Sequence, residues 1–433
     1  MVLSIVVIIL VGAIAFFHFT EGLLSALISA ISAVLAAVLA VSYCEPVVTN
    51  VFHATMADCS DSIALVLLYI AGYTIIRTVF DKLIPGNVRT PATLEKLASA
   101  ALGVVAGTFA VGIFVIALQM LPYGPTISFF GYARFPVTGT RSVYIHSGGI
   151  AADTDAVVND QMVDATLDPE KETQHLWLPV DDLVLETVGH LSDGGSLAGA
   201  RALTSVHPDW LGELFGERLG EQTGNRRNAL VPPGTTPVTV EGVYAPASLP
   251  AYDGYGEDPK RAKLDTELRP PGYKSPYGHT ITAGGGKIPL VVRIKLRPAV
   301  TDDADHLFRF SPGQIRLALR QPNGDGEFGP ATDYNPIGTL DDGKVVTNRV
   351  DDFLFLNMAQ ATGFDAVFMV DKSALVGGKD KAAEVAPGTF IVVKRWAAID
   401  LSGTPVGDTI PPDAGQKVLR SDSLQSELHP AAG

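Results

Sequence analysis

LASAALGVVAGTFAVGIFVIALQML, Leu97–Leu121, runs 25 residues without a charge. A helix of that length, at about 1.5 Å per residue, exceeds the ~30 Å of a bilayer's hydrocarbon core. Three similar runs precede it, Val2–Phe19, Leu23–Tyr43 and Ile63–Phe80, with almost no interior charge. Four such runs within 122 residues argue for a membrane four-helix bundle over buried helices of a soluble protein. The first run carries the small-residue pattern Ala13-Ile14-Ala15 but no basic residues ahead of it, so it reads as a retained helix, not a cleaved leader.

Composition divides the chain at the same place. The whole protein has 433 residues, 47% hydrophobic and 18% charged, a mean hydropathy of +0.25 and a net charge of -14. Residues 1–122 hold 4 basic and 6 acidic side chains; the remaining 311 hold 28 and 40, a net of -12. An acidic, water-facing chain follows a nearly uncharged one, and neither offers the basic surface that nucleic acid requires.

The loops set an orientation. Helices 1 and 2 are separated by Thr20, Glu21 and Gly22 alone, the second loop (Ser42–Ser62) has no Lys or Arg, and Arg77, Lys82, Arg89 and Lys96 lie around the third. The positive-inside rule puts that third loop in the cytoplasm and the second loop and both termini outside. Arg134 and Arg141 pull the other way from further along the chain. Cys44 and Cys59, the two cysteines, both fall in the second loop. They are either a disulfide, worth about 3 kcal/mol for a loop of that size, or two separate thiols at helix ends. The outside placement favours the bridge.

Lipid gives helices no hydrophobic reason to associate, so small residues that admit close backbone contact mark the packing faces. Ser25, Ser29, Ala33 and Ala37 on helix 2, and Ser99, Gly103 and Gly107 on helix 4, recur at spacing four. Such faces pack a bundle or pair it into a homodimer. Ionisable residues of a proton relay are missing from the middle of the spans.

This layout resembles the colicin V production protein (CvpA) family of bacterial inner-membrane proteins. Carrying the resemblance are Gly12, the Glu21-Gly22 turn, Glu95-Lys96, Ser99, Gly103 and Ala106-Gly107. Glu21 and Ala106 stand where the family has basic residues, Ser99 where it has Gly, and Ser4 where an early Asp is common. The resemblance covers residues 1–122 and implies a role in colicin-type toxin production or export and in envelope maintenance, through scaffolding of partners.

Beyond the bundle, residues 123–228 read as an acidic stalk with two short helices. One is Asp181–Leu191, with Leu183, Val184, Val188 and Leu191 on one face; the other starts at Pro208 and carries Trp210, Leu211, Leu214, Phe215 and Leu219. The tract 229–286 has 9 Pro and 9 Gly and reads as an extended linker laid over a neighbouring domain. From Lys287 the period becomes two. Ile288, Leu290, Val292, Ile294 and Leu296 alternate with Arg293, Lys295 and Arg297, and Ile315, Leu317 and Leu319 with Arg316 and Arg320. Further runs at Phe353–Leu356, Ala366–Val370 and Phe390–Trp396 complete an antiparallel β-sandwich of half-buried strands over 287–401, with a disordered tail at 402–433.

No motif in this chain supports catalysis. CvpA-like membrane modules are sometimes fused to trypsin-like proteases, but His146-Ser147-Gly148-Gly149 lacks the acidic residue of a nucleophile loop, and no His and Asp precede it in order. Gly195-Ser196 lacks the nucleophile-elbow spacing, and Gly284-Gly285-Gly286-Lys287 lacks the first glycine of a phosphate loop. Asp302, Asp303, Asp305 and His306 read as a solvated turn before a Ca²⁺ site. Asp181-Asp182 and Asp351-Asp352 are adjacent and point apart. The sequence therefore predicts no catalytic, cofactor or metal site. It predicts a non-enzymatic, multi-pass inner-membrane anchor whose C-terminal region lies outside the cytoplasm, with the bilayer and envelope proteins, met through 287–401, as partners. A tethered hydrolase and a transporter or channel component are the competing classes.

Overall fold

The computed structural model describes residues 2–52, 59–84, 92–121, 132, 134, 174–193, 206–214, 238–247, 251–252, 273–274, 280–281, 286–297, 307–310, 312–322, 328–341, 343–347, 354–358, 362–372, 375–377, 383–394, 397–411 and 418–420. The chain forms two compact units, Met1–Pro136 with Glu170–Thr204, and Val137–Pro169 with Ser205–Gly433.

The first unit is helical. Its spans are α1 (Val2–Glu21), α2 (Leu23–Val47, continued by one π-helical turn at Val48–Phe52), α3 (Ser60–Leu83) and α4 (Ala92–Gln119). All four are long and apolar enough to cross a membrane, marking a multi-pass membrane protein. Gly22, at φ 107°, makes the abrupt turn between α1 and α2, a conformation that costs glycine little. About 60% of the spanning window of α2 and of α4 is buried (61% and 56%), against 28% for α1 and 17% for α3, so α2 and α4 form the centre and α1 and α3 the more exposed flanks. A further helix, α5 (Val180–Asp193), packs against α4. Val184 and Val188 are buried on it as the sequence predicts, but Leu183 and Leu191 face outward, and Val180 and Asp181 take their place.

The second unit is mainly β. In chain order its described strands are β1 (Val238–Tyr244), β2 (Ala251–Tyr252), β3 (Tyr273–Lys274), β4 (Thr280–Ile281), β5 (Lys287–Leu296) and β6 (Leu307–Phe310). Next are β7 (Ile315–Pro322), β8 (Phe328–Tyr334), β9 (Gly338–Asp341), β10 (Lys344–Thr347), β11 (Leu354–Asn357) and β12 (Gly363–Asp371). Last come β13 (Leu375–Val376), β14 (Glu384–Val385), β15 (Phe390–Val393), β16 (Ala397–Asp400), β17 (Val406–Gly407) and β18 (Leu419–Arg420). The largest sheet has the order β17-β1-β5-β12-β9-β10-β2, beside a four-stranded β16-β15-β7-β8 and a three-stranded β18-β11-β6. The large sheet is mixed: β1 pairs with β17, and β10 with β2, in parallel, while the other pairings are antiparallel.

Three sequence expectations change here. The strands predicted at 288–296, 315–319, 353–356, 366–370 and 390–396 are β5, β7, β11, β12 and β15, but β5 and β12 are not half-buried. One face packs with Phe308, Phe310, Leu317 and Ile391, and the other with Ile337, Leu340 and Val345. The tract read as a linker supplies β1, which lies between β5 and β17. The tail read as disordered from 402 supplies β17 and β18. The β region thus draws strands from 238 to 420, not 287 to 401.

Candidate functional site

Of the small residues at spacing four, Gly103 and Gly107 of α4 lie against α1. A β-carbon added to Gly103 would stand 2.8 Å from the Ala15 Cα, and one on Gly107 3.3 Å from the Val11 Cα. α1 and α4 therefore touch backbone to backbone. Ala33 and Ala37 are buried on α2, and Ser99 is buried on α4 with its hydroxyl returned to the Glu95 carbonyl at 2.6 Å. Ser25 and Ser29 do something the spacing did not reveal. Both accept hydrogen bonds from Arg77, whose Nη2 lies 2.7 Å from the Ser25 Oγ. Arg77, grouped with the third loop by sequence, stands inside α3 and reaches across to α2. Its Nε faces Asp81 at 3.2 Å, and Ser25 in turn donates to Glu21 at 2.8 Å. Glu21 lies 3.5 Å from the buried His18 ring. A polar chain thus closes the hairpin end of the bundle.

A second network closes the opposite end. Asp181, fully buried on the first turn of α5, accepts from Gln119 Nε2 at 2.7 Å and from Arg134 Nη1 at 3.0 Å. Arg134 Nη2 donates to Asp182 at 2.7 Å, and Asp182 also meets the His175 ring at 2.8 Å. The adjacent aspartates, expected to point apart, instead converge on one arginine, whose planar guanidinium fork meets both. Burial raises the Asp181 carboxyl above the usual range, opposed by Arg134, and burial likewise raises the Tyr132 phenol.

In the β region, Arg316 of β7 was expected on a solvated face and is instead buried. Its Nη2 meets Glu213 at 2.7 Å and the His207 ring at 2.8 Å, and its Nη1 meets Asp333 of β8 at 3.0 Å. His207 and Glu213 lie 2.6 Å apart, with Trp210 beside the His207 ring. Burial pushes Asp333 well above an ordinary carboxylate, while Arg316 and His207 hold Glu213 below one. Arg293 and Asp365, opposite each other on β5 and β12, form a bidentate pair at 3.0 and 3.1 Å beneath Tyr244. Lys394, at φ 54°, is buried over the Phe308 ring at 4.7 Å.

Cys44 and Cys59 are thiols here, not a disulfide: Cys44 is buried with its Sγ 3.4 Å from the Asp61 carbonyl. Among the described residues no group of His, Cys, Asp and Glu is placed to hold a metal ion. His146–Gly149, Gly195-Ser196, Asp302–His306 and Asp351-Asp352 lie outside the described residues, as does helix 208–222 beyond Leu214. The buried ions found here tie backbone segments together: α5 to α4, and residues 206–214 to β7 and β8. Compared with known families, characterised proteins and solved structures, the chain finds no match.

Proposed function

We propose that this protein is a non-enzymatic anchor and scaffold of the bacterial inner membrane, related in layout to the CvpA family, with its β region outside the cytoplasm. In that role it serves colicin-type toxin production or export and envelope maintenance by holding envelope proteins against surfaces of the β region. The observation that carries the reading is the use made of the ionisable side chains. Arg77, Arg134 and Asp181 each fasten one helix or loop to another at the ends of the bundle. The middle of the bundle is packed by glycine and alanine instead. A transporter or channel would place such groups along a path through the middle. Basic residues around the α3–α4 loop support the orientation. The test has two parts. A reporter active only outside the cytoplasm, fused after Gly433, is expected to be active; an inactive fusion at normal expression reverses the orientation. Photo-crosslinkers placed in the β region are expected to capture the same envelope proteins in repeated experiments, and a β region that captures none removes the scaffold.

A further inference from the structure

We infer that the apolar segment Leu176–Val180 is a wedge inserted into one leaflet of the bilayer beside α1, with Trp177 in contact with lipid. The inference rests on reading α1–α4 as membrane-spanning. The sequence His175-Leu176-Trp177-Leu178-Pro179-Val180-Asp181-Asp182 sets five apolar residues between polar ones. Leu176 and Val180 point inward and share a core with Leu3, Val7 and Val11 of α1 and Val111 and Val115 of α4. Trp177 points outward, 59% exposed, with its backbone N–H 3.5 Å from Ser4 Oγ.

The depth of this segment follows from the helix geometry. α1 and α4 are antiparallel, Gly103 facing Ala15 and His18, and Gly107 facing Val11 and Ile14. Lys96, the last charge before the α4 run, lies over the Phe19 ring, so Phe19 and Leu97 mark one edge of the apolar zone. At 1.5 Å per residue, Ser4 on α1 and Gly112 on α4 both stand about 22 Å from that edge, or about 7 Å short of the far side of a 30 Å core. The Val180 carbonyl would touch a β-carbon on Gly112 (2.6 Å), and Trp177 adjoins Ser4, so the wedge lies at that depth. Helix tilt carries both points deeper. Gln119, by the same measure about 33 Å from the first edge, falls just beyond the core. It is there that Asp181, Arg134 and Asp182 gather, at headgroup level. A tryptophan about 7 Å inside the core edge, with charges gathered just above it, lies within a side-chain length of the interface that the indole ring prefers. Its exposed face continues the exposed apolar side of α1, formed by Val2, Ile5, Ile8 and Ile9. Lipid is the occupant that this continuity selects.

The experiment uses the full-length protein in phosphatidylcholine–phosphatidylglycerol vesicles, comparing the wild type with Trp177→Phe so that the difference in emission reports Trp177 alone. Acyl chains brominated near their glycerol end are expected to remove most of that difference, chains brominated near the methyl end less, and aqueous iodide little. Quenching by iodide and not by brominated lipid overturns the wedge. A Trp177 shielded from both also overturns it, and assigns the face to a protein partner or a second copy. Phe16→Trp in the Trp177→Phe background separates the two readings, since Phe16 is an exposed residue of α1. Quenching there without quenching at Trp177 discards the wedge and keeps the membrane bundle, whereas quenching at neither discards both.

Discussion

In the bundle the decisive contacts are between backbones: Gly103 and Gly107 let α1 lie directly on α4, and Gly112 lets the start of α5 do the same. In the β region they are between large side chains, with Phe310 stacked on both Phe308 and Phe364 at centroid distances of 5.4 and 4.8 Å. The difference follows from the solvent. Water drives aromatic and aliphatic burial in the β region; lipid drives none, so close approach and a few polar ties are what remain to the bundle. Both regions nevertheless bury an arginine between two carboxyls, Arg134 with Asp181 and Asp182, and Arg316 with Glu213 and Asp333.

Removing the charge from each arginine tests that parallel. Arg316→Met leaves the buried Glu213 carboxylate, held below its ordinary pKa, with His207 as its remaining ion-pair partner among the described residues and removes the ion-pair partner of Asp333, and is expected to cost the β region about 3–5 kcal/mol in denaturant unfolding. Arg134→Met is expected to cost the first unit less, about 1–3 kcal/mol, because Asp181 already lies above the ordinary range and takes up a proton instead. That carboxyl's contribution is present in full below the unfolded carboxylate pKa and is lost as pH rises through the raised value. The deficit of Arg134→Met should therefore widen with rising pH in thermal melts. Equal losses at every pH would mean the two networks work alike.

Gly103→Val probes the bundle's own mode of packing. Its side chain meets the Ala15 backbone, which cannot swing aside, and a loss of about 1–3 kcal/mol in thermal unfolding in detergent is expected. Asp333→Asn is the mildest change. Burial already favours the neutral form of this carboxyl, so the amide should cost under about 1.5 kcal/mol. Wild type should also lose stability as pH rises through the raised Asp333 value, and the variant should lose less.

The spans were legible because each is an unbroken apolar run, β5 and β7 because alternation survives in them, and β12 and β15 because each is a short apolar run. Three things were not. β1 is hidden in a tract rich in proline and glycine, and its place in the sheet depends on β5 and β17, far along the chain. Arg293 and Arg316 sit at positions that alternation assigns to solvent; Arg293 is instead paired with a carboxylate 72 residues away, and Arg316 is buried under the segment 206–214. The polar ties of Ser25 and Ser29 look like small-residue packing until Arg77 is placed opposite them. Pairings between distant residues leave no local period to read.

The parallel contact of β1 with β17 joins Val243 to Val406, about 160 residues apart. A chain that emerges from its N-terminus therefore presents β1 with an open edge for most of the time the β region takes to appear. Long-range pairing of this kind folds slowly and exposes strand edges to wrong partners. Completion of the large sheet waits on nearly the last of the described residues, so chains cut short before Val406 should be more prone to aggregation and degradation than their nearly full length would suggest.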